Sequence, residues 1–135
     1  MHVHLCGITA RPPHVKVART ALGASRYVPW SHHADALEQV LALKARGVTI
    51  AALETTASAC SYLEVDYRFP MALVIGHEVR GVDPRVLAEA DQVVTIPMWG
   101  VKNSLNVATA FGIVIFEVLR RLASTNPEAG RDCTS

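Results

Sequence analysis

The order of apolar segments along the chain is the feature that most restricts its fold. Three short, strongly apolar runs, each typical of a buried strand, occur at residues 48–55, 67–76 and 92–98. An amphipathic helical pattern over residues 33–47 precedes the first run, and Asp83 is placed to cap a second helix. This alternation of strands and helices predicts an α/β domain with a largely parallel sheet.

The last helical segment, which follows Ser104, is apolar on every side. One side of it has Leu105, Ala108, Gly112, Ile115 and Leu119, and another has Val107, Phe111, Val114 and Val118. A helix of this kind has to be covered all around. Because 135 residues offer limited surface for that purpose, we expect a second copy to cover part of it and the protein to be a homodimer.

Composition excludes several classes of protein. The 13 basic and 12 acidic residues give a net charge of +1, so a polyanionic partner would have to bind a local basic patch. Six scattered histidines and three cysteines without a CxxC pattern predict neither a metal site nor a disulfide framework. No apolar run approaches the ~20 residues that cross a bilayer, and no signal peptide is recognisable. We therefore expect a cytoplasmic protein that is not inserted in a membrane.

Three segments follow the predicted strands and are richer in glycine and polar residues than their flanks. They are "ALETTAS", "IGHEVRGV" and "IPMWGVKNSLN". In a parallel sheet such segments meet at one edge, where ligands commonly bind. The chain has neither GxGxxG nor a P-loop, which disfavours a flavodoxin-like or other phosphate-binding nucleotide site.

Two longer segments carry a family resemblance. "LVIGHEVRGV" and, further along, "IPMWGVKNSLNVATAFGIVIFEVLR" resemble motifs 2 and 3 of the SpoU-type RNA ribose 2′-O-methyltransferases, which are TrmH-like members of the SPOUT superfamily. Looser similarity extends over residues 3 to 122. The resemblance implies a parallel sheet with helices on both faces and a C-terminal trefoil knot, although chains are usually unknotted. The predicted domain is residues 1–123, and residues 124–135, which lack periodicity, are expected to be a disordered tail.

The same resemblance implies S-adenosylmethionine as cofactor and a set of site residues. The cofactor-binding residues would be Leu53, Gly76, Ile96, Met98, Ser104 and Leu105. Glu78 and Asn106 match the motif glutamate and asparagine and are the candidate catalytic residues, with loop bracing as the alternative for both. Independently, a helix N-terminus has unpaired N–H groups, and Ser104 stands where its hydroxyl would cap one of them.

The activity that the resemblance implies is transfer of a methyl group from S-adenosylmethionine to a ribose 2′-hydroxyl of tRNA or rRNA. The candidate RNA-binding residues are Arg11, Lys16, Arg19, Arg80 and Lys102. The first three lie in the densest basic stretch, and residues 1–34 contain no acidic residue. Trp99, in the third segment, is compatible both with base stacking and with packing.

One family motif does not match. Motif 1 of the family is an asparagine followed by an arginine on the first helix, and Arg19 in "VKVARTALGA" resembles that arginine, but Pro13 stands where the asparagine belongs. The segment is more similar to the part of the family sequence that follows motif 1. We therefore expect that the chain begins past the catalytic arginine, with two open alternatives: a true start upstream of Met1, or a catalytically impaired relative that binds RNA or S-adenosylmethionine.

Overall fold

The computed structural model describes residues 1–101 and 104–126. The chain divides into two compact units, Met1–Ala42 and Leu43–Ser135. None of the described helices is long and apolar enough to cross a membrane. Within the same residues, no group of three or more His, Cys, Asp or Glu side chains is arranged to hold a metal ion.

The first unit is built on a two-stranded parallel sheet. Strand β1 (Val3–Cys6) pairs with β2 (Trp30–His33), with Val3 opposite Trp30. The connection between them contains helix α1 (Val15–Ala21) and a short 3₁₀ turn (Ala24–Arg26). Helix α1 begins just after Pro12 and Pro13, and the ring of His14 caps it by accepting from the backbone N–H of Lys16.

The second unit contains a four-stranded parallel sheet, which confirms the predicted α/β class with a parallel sheet. Helix α2 (Ala36–Ala45) leads into it from the first unit. The strands are β3 (Thr49–Leu53), β4 (Cys60–Ser61), β5 (Met71–Ile75) and β6 (Gln92–Thr95), and the helices are α3 (Pro84–Glu89) and α4 (Val107–Thr125). The order across the sheet is β4-β6-β3-β5. The three predicted strands and the helix predicted over residues 33–47 are present with shorter bounds, and β4 is a further strand that the apolar pattern did not indicate.

The central strand β3 is covered on both faces. Ala51 belongs to a buried cluster with Val94 of β6 and with Val114 and Val118 of α4. Ile50 and Ala52 alternate with Ala51 and so point to the opposite face, where they too are fully buried. The carboxyl ends of β3, β5 and β6 are therefore held in register, and the segments that follow these strands start from one edge of the sheet.

Helix α4 is joined to the chain before it by an arginine, and a carboxylate of the same helix holds that arginine in place. Glu117, which is buried, accepts hydrogen bonds from Arg120 and Arg121 at 2.7 to 2.8 Å. These bonds lower the pKa of Glu117 to about 2. Arg121 also donates to the carbonyl of Leu63 at 2.6 Å. The register of α4 against the preceding chain is therefore set by polar contacts as well as by its apolar face.

The ends of α4 differ from the sequence prediction. The helix begins at Val107, and its N-cap is Asn106, not Ser104. It continues through Thr125, two residues past the predicted domain boundary at 123. Of the predicted tail, residues 127–135 lie outside the described residues.

Candidate active site

The three strand-exit segments of the second unit line one cavity of about 140 Å³. All of the residues that the resemblance assigned to the cofactor are in its wall: Leu53, Gly76, Ile96, Met98, Ser104 and Leu105. They come from the ends of β3, β5 and β6 and from the chain just before α4. The edge of a parallel sheet thus brings together positions that are up to 52 residues apart in sequence, from 53 to 105.

The segment after β5 forms a tight reversal. His77 and Gly81 exchange two backbone hydrogen bonds, N–H of each to the carbonyl of the other, at 2.9 and 2.8 Å. Gly81 has φ +71°, a left-handed conformation that L side chains rarely adopt. At Gly76 a Cβ would lie inside contact distance of the backbone of Gly81 and Val82. Both glycines are therefore required by the shape of the reversal.

Glu54, which the sequence analysis did not single out, connects two of the segments. Its Oε2 accepts from the backbone N–H of Val82 at 2.8 Å, and its Oε1 accepts from the N–H of Thr55 at 2.9 Å. A Cβ at Gly81 would meet Oε2 directly. The one feature of the sequence that could have indicated this role is a carboxylate immediately after a buried strand. Glu54 therefore holds the two segments together, which is the bracing role that the sequence offered as an alternative for Glu78.

Glu78 itself lines the cavity and is exposed. Its carboxylate makes no hydrogen bond or ion pair with any residue in 1–101 or 104–126. It is a free acceptor at the cavity, which is compatible with the predicted catalytic role, whereas the bracing alternative finds no support among the described contacts.

Asn106 caps α4 instead of lining the cavity. Its Oδ1 accepts from the backbone N–H of Ala108 at 2.9 Å and of Thr109 at 3.4 Å. An N-cap of this type satisfies donors that the helix leaves unpaired. The capping role predicted for Ser104 thus falls to Asn106, and Ser104 keeps its place in the cavity wall. The amide nitrogen of Asn106 donates to none of the described residues, so the predicted contact with substrate would use Nδ2.

The charge of the wall restricts the ligand. Two carboxylates, Glu54 and Glu78, line the cavity, while its described lining contains no lysine or arginine. Phosphate sites need cationic side chains or a cradle of N–H groups. Apolar side chains and small or hydroxyl residues make up most of the remaining wall. An apolar cavity with carboxylates suits a cationic ligand with a flat apolar part, such as a sulfonium nucleoside, better than a phosphate ester.

Comparison with known proteins agrees with this geometry. The sequence model of the SpoU rRNA Methylase family matches residues 1–116. The chain belongs to this family. It is 38% identical over 102 residues to the tRNA (guanosine(18)-2′-O)-methyltransferase of Thermus thermophilus, an alignment that covers 76% of this chain and 53% of that enzyme.

Solved structures of SpoU relatives have the same fold. The TrmH/SpoU tRNA modifying enzyme of Aquifex aeolicus superposes with a TM-score of 0.83 at 28% identity, over 100% of this chain and 68% of that one. The AdoMet-bound rRNA methyltransferase of Sinorhizobium meliloti gives a TM-score of 0.81 at 31% identity, over 88% and 45%. The chain thus spans about half the length of the Thermus relative and of the Sinorhizobium chain.

The candidate RNA-binding residues of this SpoU family member fall in both units. Arg11, Lys16 and Arg19 are exposed in the first unit, and the last two are three residues apart on α1, on one side of the helix. Arg80 is exposed in the second unit, between the cavity residues Glu78 and Gly81. Lys102 lies outside the described residues.

Proposed function

We propose that the protein transfers a methyl group from S-adenosylmethionine to a ribose 2′-hydroxyl of tRNA or rRNA. The observation that carries the proposal is the single cavity that contains all the residues assigned to the cofactor, together with two carboxylates. Family membership and the named activity of the Thermus relative support it. Neither the comparisons nor the cavity favours the catalytically impaired alternative.

The cofactor would supply an electrophilic methyl group at the cavity. Leu53, Ile96 and Leu105 would pack on the flat apolar part of the ligand, and Met98 would add a further apolar wall. The carboxylate of Glu78, which has no partner among the described residues, would accept a hydrogen bond from the ribose hydroxyl and draw its proton away as the oxygen attacks. Holding that oxygen in line with the methyl group is the other source of rate acceleration.

The RNA would be held by exposed cations. Arg11, Lys16 and Arg19 form the basic part of the first unit, where residues 1–34 contain no acidic residue to offset them. Arg80 stands beside the cavity of the second unit and has no ion pair within the described ranges. Contacts of this kind bind phosphates without sequence preference, so they would orient the RNA and leave choice of nucleotide to other residues. A substrate of this class would place the protein in the cytoplasm, which cell fractionation would test.

Titration calorimetry with S-adenosylmethionine, followed by transfer of labelled methyl to total cellular RNA, tests the proposal. We expect binding with one site per chain and label that appears on ribose 2′-oxygens after digestion to nucleosides. Binding without transfer would support the impaired alternative. Absence of any binding heat would contradict the assignment of the cavity.

We also propose that α4 forms a homodimer interface and that the C-terminal segment is threaded into a trefoil knot. Ile113, Phe116 and Leu119 recur at three-residue spacing on α4 and are 37%, 74% and 45% exposed. An apolar strip of this kind on one helix is typical of a surface that another protein covers. The knot is supported by the family resemblance, and an experimental structure in which α4 passes outside the 76–82 reversal would refute it.

The dimer has a direct test. Phe116→Glu is expected to convert the dimer to a monomer in sedimentation experiments at micromolar concentration, because it places a charge in the apolar strip. Ser124→Glu adds the same charge near the far end of the helix and should leave the dimer intact. A Phe116→Glu protein that sediments as the unsubstituted protein does would contradict this interface.

A further inference from the structure

Trp99 is an exposed aromatic side chain directly beside the cavity. It follows Met98, which lines the cavity, and it is 90% exposed. Its neighbour Val101 is 99% exposed, and Gly100 between them has φ +103°, a left-handed conformation that turns the chain. The segment thus leaves the cavity wall at Met98 and presents the side chains of Trp99 and Val101 to solvent.

The neighbouring reversal has the same arrangement. Glu78 and Gly81 line the cavity, while the two residues between them, Val79 and Arg80, face solvent, and Val79 is 87% exposed. Two segments that line one cavity therefore each expose the residues at their turn. Together these residues supply an indole, two valine side chains and the guanidinium of Arg80. That guanidinium has no ion pair in the described part of the chain. Apolar surface next to an unpaired cation matches a nucleotide, which has an apolar base face and an anionic phosphate.

The reaction geometry restricts where such a nucleotide would lie. Consecutive Cα atoms are about 3.8 Å apart, so the Cα of Trp99 lies about that far from the Cα of Met98, which lines the cavity. A ribose whose 2′-oxygen reaches the cavity carries its base within a few ångströms of that point. In a duplex the base faces are covered by neighbouring bases, whereas an unpaired base can leave the stack and lie on an aromatic side chain.

We propose that Trp99 is the platform on which an unpaired base of the substrate RNA stacks. The inference rests on the proposed methyl transfer and adds to it the residue that would hold the acceptor base. Stacking on an indole tolerates any base, because every base has a π face. Trp99 would therefore position the acceptor nucleotide without reading its identity.

Fluorescence tests the contact directly, because the chain has only two tryptophans. In a Trp30→Phe variant all indole emission comes from Trp99. Titration with an unstructured oligoribonucleotide should quench that emission, and the same strand annealed to its complement should quench it much less. Equal quenching by strand and duplex would overturn the proposal. Emission that depends on protein concentration and not on RNA would also overturn it, since Trp99 would then lie against a second copy.

Kinetics separate stacking from simple apolar contact. Trp99→Leu keeps an apolar side chain but removes the π face, and it should raise the KM for RNA on the order of 10- to 100-fold. Trp99→Phe should restore most of the affinity, and kcat at saturating RNA and the affinity for S-adenosylmethionine should both be retained. Val101→Ala trims the other exposed apolar side chain of the segment, which has no π face, and should raise KM much less than Trp99→Leu does.

The outcomes distinguish this inference from the proposed function. An unchanged KM in Trp99→Leu, with normal methyl transfer, would overturn the role of Trp99 alone. A protein with no affinity for S-adenosylmethionine and no transfer to RNA would overturn the proposed function and the inference with it.

Discussion

Gly76→Ala is expected to abolish binding of S-adenosylmethionine and to destabilise the second unit by about 1–3 kcal/mol, as overpacking of a close contact does. The added methyl group would enter space held by the backbone of Gly81 and Val82. A backbone cannot rotate aside as a side chain can, and Gly81 is fixed by the paired hydrogen bonds with His77. The reversal would have to open, and opening it would displace that part of the cavity wall.

Urea unfolding and calorimetry measure the two effects, and the chain contains a matched control. Gly112 lies within α4, and a Cβ there would meet no atom within 4 Å apart from its chain neighbours and the nearby backbone of the helix itself. Gly112→Ala should therefore stabilise the protein by about 0.5–1 kcal/mol, the usual gain from replacing a helical glycine. It should leave cofactor affinity unchanged. If Gly76→Ala bound the cofactor as well as Gly112→Ala does, the described shape of the reversal would be wrong.

Glu54→Ala is expected to have the second largest effect. It removes both hydrogen bonds that join the end of β3 to Val82 and Thr55. A hydrogen bond to a charged group contributes at most about 1.5–3 kcal/mol to the free energy of unfolding. Because Glu54 is partly exposed, we expect the variant to lose about 2–3 kcal/mol of that free energy in total. Because the two segments would no longer be held together, the affinity for S-adenosylmethionine should fall at least about 10-fold, on the order of 1.4 kcal/mol.

Glu78→Gln is the control for this variant. Glu78 lines the same cavity but has no hydrogen-bond partner among residues 1–101 and 104–126. Its substitution should alter the unfolding free energy by no more than about 0.5 kcal/mol, as for surface changes elsewhere. Methyl transfer, in contrast, should fall if Glu78 accepts the ribose proton. Equal destabilisation by the two variants would contradict the bracing role of Glu54.

The sheet and the segments that surround the cavity could be predicted because each has a regular physical signal, whereas the individual cofactor residues came from the family resemblance. Buried strands are short apolar runs, and the rule that ligands bind at the carboxyl ends of parallel strands places the segments after 53, 75 and 95 at one edge. The cap at Asp83 before Pro84 was predicted correctly, since both residues favour a helix start. These signals depend only on residues that are close together along the chain, so a single sequence is enough to show them.

The missed features depend on partners that are distant in sequence or on an uncommon residue type. Glu54 contacts the N–H of Val82, 28 residues away, and no local pattern indicates that contact. Strand β4 is only two residues long and exists through its pairing with β6. Helix α1 is capped by a histidine, which is not among the usual capping residues. Ser104 and Asn106 are both good caps, and only the register of α4 decides between them.

The reversal after β5 is maintained by main-chain atoms, by the ring of His77, which accepts from the backbone N–H of Val79 at 3.1 Å, and by one carboxylate outside it. His77 and Gly81 bond through their backbones, and Glu54 bonds to the backbone of Val82. The side chains of Val79 and Arg80 have no part in this framework. Mutations at the reversal's tip could therefore accumulate over evolution while the wall of the cavity stayed intact.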